Sequence, residues 1–238
     1  MLLSAAGLGL LLGLRHAFEP DHLAAVSTLA TRHARLRDGA RLGIAWGVGH
    51  TATVGVVALL VVVAGLHVPP AFFSAAELLV AVLLILLGLP VVIRYARGRW
   101  HLHVHAHNGE AHLHLHSHAA GGSHAHAHPR WDARRSLGLG FAHGMAGSAA
   151  IVVLLVATAR TLGAQLAYLA AFGAGSTLAM LAVAFALSLA VRWAAGDERG
   201  GAARGTQLAT MLHVGAAGTS VAVGLLLAGR TIGEWVTR

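Results

Sequence analysis

Six apolar runs lie near Leu2–Leu29, Gly43–Leu66, Phe72–Ile93, Leu137–Ala159, Ala164–Val191 and Leu208–Ala228. Each is long enough to cross roughly 30 Å of hydrocarbon at about 1.5 Å per helical residue. That length leaves the chain little besides an all-α polytopic membrane protein with six transmembrane helices. The composition agrees: 56% of residues are hydrophobic, only 11% are charged, and mean hydropathy is +0.69, far from a soluble domain of 238 residues. The first run is not expected to be a cleaved signal peptide, because it lacks a basic leading segment and continues past a typical apolar core.

A net charge of +8 suggests nucleic acid as a partner until the arginines are located. Arg32, Arg35, Arg37 and Arg41 separate runs 1 and 2. Arg94, Arg97, Arg99, Arg130, Arg134 and Arg135 flank the long connection between runs 3 and 4. Arg192, Arg199 and Arg204 separate runs 5 and 6. All fall on one side, which the positive-inside rule makes cytoplasmic, with both termini outside. The charge is topological, and no nucleic-acid partner is expected.

The long connection divides the chain into a first three-helix repeat (1–96), a histidine-rich loop (97–133) and a second three-helix repeat (134–238). "AWGVGHTATV" (45–54) aligns with "AFGAGSTLAM" (171–180), and "HAFEPDH" (16–22) opposes "HGMAGSA" (143–149). Glu77 and His213 precede Gly88 and Gly224 by the same interval. Three spans is an odd number, so the second half enters from the opposite face, giving a 3+3 inverted repeat with the loop between halves. Transporters built this way form sites near the midplane on discontinuous helices. The competing explanation is that Gly/Ala-rich membrane helices resemble one another because glycine serves close packing.

"HAFEPDH" places His16, Glu19, Pro20, Asp21 and His22 inside an apolar run. Proline lacks an N–H and its ring strikes the carbonyl four residues earlier, here that of His16. Glu19, preceding it, is pushed from helical angles. In a straight helix His16 and His22 would diverge by about 120° at 100° per residue; a broken turn swings them together. Ionisable groups at this depth are costly and usually mark ion or proton pathways. Imidazole plus carboxylate without sulfur suits Ni²⁺, Co²⁺ or Zn²⁺, and Glu19 or a backbone carbonyl supplies the outer partner that a histidine ligand needs. The structural alternative is a kinked helix whose polar groups pair internally, with Arg15 on Glu19. His50, beside Thr51 in "GVGHT", falls at a similar depth and joins the metal set. His143, with Ser148, is its counterpart in the second half. Glu77 and His213 are second-tier pathway residues, with snorkelling or packing as competitors.

"RHAFEPDHLAAV" resembles the HxxxxDH motif, usually preceded by arginine, of the nickel/cobalt transporter family. "GVGHT" is similar to that family's glycine–histidine–Ser/Thr motif, and "GFAHGMAGSAA" to the segment opening the second half of the shorter, six-span, urease-accessory-type nickel permeases. The resemblance implies a permease for Ni²⁺ or Co²⁺ in the bacterial cytoplasmic membrane. It implies ligand roles for His16, Asp21, His22 and His50, no cofactor beyond the transported metal, and contact with metallochaperones or nickel-enzyme maturation proteins. Relatives with histidine-rich loops include exporters, so efflux stands as the alternative direction.

Residues 101–128 hold 11 of the 18 histidines: His101, His103, His105, His107, His112, His114, His116, His118, His124, His126 and His128. Such tracts usually bind metal. With glycine, alanine and no anchored core, the segment is expected to be disordered and to capture metal on the cytoplasmic face. No nucleotide-binding motif is present, so the drive is the membrane potential, a proton gradient or a separate partner. A histidine-box membrane metalloenzyme would need several HxxH clusters that the chain lacks, and zero cysteines exclude a thiol-electron conduit.

Overall fold

The computed structural model describes residues 2–66, 68–97, 101–107, 110–116, 133–146, 159, 161–195 and 202–237. The first apolar run is two helices, α1 (Leu2–His16) and α2 (Pro20–Ala30), meeting at 61°. Glu19 between them is extended, at φ −62 and ψ 144, as a residue before proline prefers. Pro20 takes the first helical position, where a missing N–H deprives no carbonyl. The His16 carbonyl released by the break accepts a 3.0 Å bond from the Glu19 N–H.

Next come α3 (Leu36–Val62) and α4 (Pro70–Ala96), strands β1 (His101–His107) and β2 (Glu110–His116), and α5 (133–146). The chain ends with α6 (Leu162–Ala195) and α7 (Ala202–Val236). Among the described residues, α3, α4, α6 and α7 are each long and apolar enough to span a bilayer, and the bent α1–α2 pair makes a fifth crossing. The span expected at Leu137–Ala159 begins in α5, but 147–158 lie outside the described residues. The body is thus a multi-pass helical membrane structure, with large apolar side chains such as Leu60, Leu86 and Leu226 exposed on its outside.

Helices approach through glycine. A Cβ at Gly13 of α1 would strike the Phe172 carbonyl of α6, and one at Gly140 of α5 would strike the Trp46 carbonyl of α3. The same correspondence holds for Gly175 against Leu10 and Gly49 against Leu137. Where α3 and α6 cross antiparallel, Gly47 meets Thr177 and Gly173 meets Thr51. Where α4 meets α7, Gly88 lies on Ala217 and Gly224 on Ala81. Every one of these pairs is exchanged with its neighbour in the list when aligned positions of the two halves are swapped. Without water to drive association, such close backbone approach and dispersion contact hold membrane helices together.

The histidine-rich segment, expected to be disordered, carries an antiparallel two-stranded hairpin with His101, His103 and His105 opposite His116, His114 and His112. Strict HxH alternation has strand period. His118, His124, His126 and His128 lie outside the described residues.

Candidate metal centre

Four helices deliver five side chains to one buried point. His16 ends α1, Asp21 and His22 lie in the first turn of α2, His50 is midway along α3, and His143 is on α5. The 61° elbow turns the start of α2 back toward the end of α1, so His16 and His22 rings meet at 4.4 Å between centroids. His50 completes a triangle, 5.1 Å from His16 and 5.0 Å from His22. Gly144 allows this closure: a Cβ there would lie 2.7 Å from the His50 carbonyl. With α5 drawn onto α3, His143 stacks edge-on to His22 at 4.2 Å.

Ligand atoms of His16, His22 and His50 lie within 4.8 Å of one another, and those of Asp21, His22 and His143 form a second such group. The carboxylate of Asp21 is engaged on both oxygens. Oδ1 is 3.0 Å from His22 Nδ1 and also accepts from the His22 backbone N–H at 2.9 Å, while Oδ2 is 2.9 Å from His143 Nε2. Glu19 does not reach Arg15; its Oε1 lies 3.1 Å from His16 Nδ1. Each carboxylate therefore fixes an imidazole through one ring nitrogen and leaves the other facing inward, the arrangement that sets the tautomer and basicity of a histidine ligand.

The inward nitrogens are orphans. His16 Nε2, His22 Nε2 and both nitrogens of His50 are buried with no hydrogen-bond partner. Buried polar atoms are paired in the great majority of cases, and a cluster of exceptions calls for a ligand. Two aromatic side chains that motif reading did not single out close the cluster. Phe172 of α6 lies 5.4 Å from the His16 ring and Trp46 of α3 lies 5.4 Å from His143. Both are fully buried. They occupy aligned positions in "AWGVGHTATV" and "AFGAGSTLAM", and that alignment is the signal that would have found them.

The remaining candidates lie elsewhere. Thr51 is on the α3–α6 seam, its hydroxyl 3.2 Å from the Gly173 carbonyl and 3.3 Å from Thr177 Oγ1. Glu77 accepts a 3.2 Å bond from Thr231 between α4 and α7. His213 does not snorkel; it is buried, with Nδ1 2.9 Å from Thr31 Oγ1 of α2. Ser148 lies outside the described residues.

The chain is 33% identical over 186 residues to the urease accessory protein UreH of Bacillus sp. (strain TB-90), a match covering 76% of this chain and 74% of that protein. No solved structure matches it. The family model for NicO, high-affinity nickel-transport protein, matches residues 2–194, a stretch that contains the elbow, the imidazole cluster and both aromatic covers. The chain belongs to the NicO family and is a nickel transporter rather than an enzyme.

Proposed function

We propose that the protein takes up Ni²⁺ across the bacterial cytoplasmic membrane, with Co²⁺ as a second substrate, by dehydrating the ion onto His16, His22 and His50. Asp21 and His143 complete the set. The observation that carries this reading is the convergence of unpartnered imidazole nitrogens in a sealed interior, each backed by a carboxylate on the other ring nitrogen or held by a close helix contact. Neutral imidazoles suit a borderline divalent ion, and the two flanking carboxylates offset part of its charge.

The exchanged contact pairs support a six-span inverted repeat. On that reading Thr51 and Thr177 sit beside the pseudo-two-fold axis, and Phe172 and Trp46 close the site toward opposite faces. Arginine placement supports outside termini and a cytoplasmic hairpin, which would gather metal there. A membrane potential of 100 mV, negative inside, favours inward movement of a divalent cation by about 4.6 kcal/mol, from about 2.3 per charge. The naming of a similar protein as a urease accessory protein supports delivery toward nickel-enzyme maturation.

Oriented proteoliposomes loaded on one side with Ni²⁺, Co²⁺ or Zn²⁺ test this. Wild type is expected to move Ni²⁺ inward and His16→Ala to abolish flux. Full Ni²⁺ flux in His16→Ala overturns the site, and net outward movement against the potential overturns the direction in favour of efflux.

A further inference from the structure

The imidazoles form a row rather than a shell. Ring centroids run from Phe172 to His16 at 5.4 Å, His16 to His22 at 4.4 Å, His22 to His143 at 4.2 Å and His143 to Trp46 at 5.4 Å. His50 stands beside the first half of the row, 5.0 Å from His22 but 6.5 Å from His143. The two groups of ligand atoms follow the same order. His16, His22 and His50 make one, Asp21, His22 and His143 make the other, and His22 belongs to both. Their states differ. In the first group His16 Nε2, His22 Nε2 and both His50 nitrogens have no partner. The second is satisfied internally, with Asp21 holding His22 Nδ1 at 3.0 Å and His143 Nε2 at 2.9 Å. A small cavity adjoins this second group, lined by Trp46 and His143 with Ala25, Val80, Leu84 and Leu139. Its aliphatic walls offer an ion no ligand, but they leave the His143 and Trp46 rings room to shift.

Building on the reading that this cluster binds the transported ion, we infer that it is two overlapping sites used in turn, with His22 the ligand common to both. The ion arrives at His16, His22 and His50, whose free nitrogens accept it without rearrangement. It then enters the second group by displacing the two imidazole hydrogen bonds from Asp21, and each imidazole keeps its proton on its other ring nitrogen. A neutral imidazole has one free lone pair, so His22 serves one ion at a time and the two sites exclude each other. Keeping His22 through the step spares the ion a bare passage through an apolar interior, where its desolvation would go uncompensated. Splitting the binding between two sites also keeps either from holding the ion too tightly to release it. Trp46, beside the second group, lies one helical turn nearer the arginine-rich start of α3 than His50 does. For uptake the order is therefore first group, then second.

Binding and flux, measured separately on the full-length protein, test this. Equilibrium dialysis against radioactive Ni²⁺ reads the cluster once the ion bound by His22→Ala or His22→Gln is subtracted, which removes the share of the histidine-rich segment. Wild type is expected to hold a single ion per chain above that reference. His143→Ala should keep this ion with little change in affinity while proteoliposome flux falls about 10-fold or more. His143→Gln, whose amide can still donate to Asp21, should show the same split and guards against a folding defect. His16→Ala should bind far more weakly, because an ion in the second group must first break the Asp21 bonds. Equal loss of binding in the His143 and His16 variants would mean one five-ligand site, and a second ion in wild type would mean independent sites. Undiminished flux without His143 would take the second group out of the path. Each of these results overturns the two-site order and leaves the metal centre standing, whereas full binding and flux in His16→Ala is the failure of the centre itself.

Discussion

At the scale of single residues, the proposed site separates imidazoles that would touch the ion from carboxylates that would aim them. Both nitrogens of His50 lack a protein partner, so His50→Ala removes no hydrogen bond and should abolish Ni²⁺ flux while leaving thermal unfolding in detergent nearly unchanged. Loss of the folded protein instead would mark His50 as a packing residue. Asp21 aims two imidazoles at once. Asp21→Asn keeps the shape but loses the charge and one acceptor, and outer-shell losses of this kind typically weaken metal affinity about 10–100-fold; calorimetric Ni²⁺ titration of the purified protein checks it. The four core residues His16, Asp21, His22 and His50 were legible because charge inside an apolar run is expensive and therefore conspicuous. Trp46 and Phe172 were not, because a buried aromatic in a greasy helix looks like any other core residue until its neighbours are known.

Elements carry a different lesson. The elbow at Pro20 was readable from local chemistry, since proline acts on its own turn. The glycine seams were only half readable: a glycine announces close approach but not the partner. α1 and α6 meet through Gly13 and Phe172, positions far apart in the chain, and no local pattern encodes that. The hairpin departs from expectation for a related reason: HxH alternation shows strand period, but a strand's pairing partner is not encoded in its own period. Gly13→Ala and Gly140→Ala each force a methyl group against a backbone carbonyl, and overpacking of this kind costs about 1–3 kcal/mol. Both should lower the unfolding temperature by similar amounts. Gly55→Ala, where a Cβ would meet nothing within 4 Å, is the control and should be neutral. Unequal effects of the first two would count against the equivalence of the two seams.

For the molecule as a whole, a buried imidazole cluster and a histidine-rich segment outside that cluster predict a separation in kinetics. Deleting residues 101–128 should leave the maximal Ni²⁺ flux of proteoliposomes within about two-fold and shift only the half-saturating concentration, because on the proposed reading many interchangeable imidazoles would capture metal there. A fall in maximal flux like that of His16→Ala would place the hairpin in the translocation path. The correspondence between the halves was partly visible in sequence, through "AWGVGHTATV" and "AFGAGSTLAM"; what it could not convey is that the matched segments touch each other.

The pairing of α1 with α6 also bears on how the protein is made. A ribosome adding about 5–20 residues per second delivers α6 on the order of ten seconds after α1. Throughout that interval a short helix ending in Arg15, followed by Glu19 and Asp21, has reached the translocon without the neighbour that buries its inner face. Such a segment is a poor insert by itself. The nascent chain is therefore expected to need an insertase to hold its first helix until α6 arrives, and a chain terminated before Leu162 should be cleared by membrane proteases rather than accumulate.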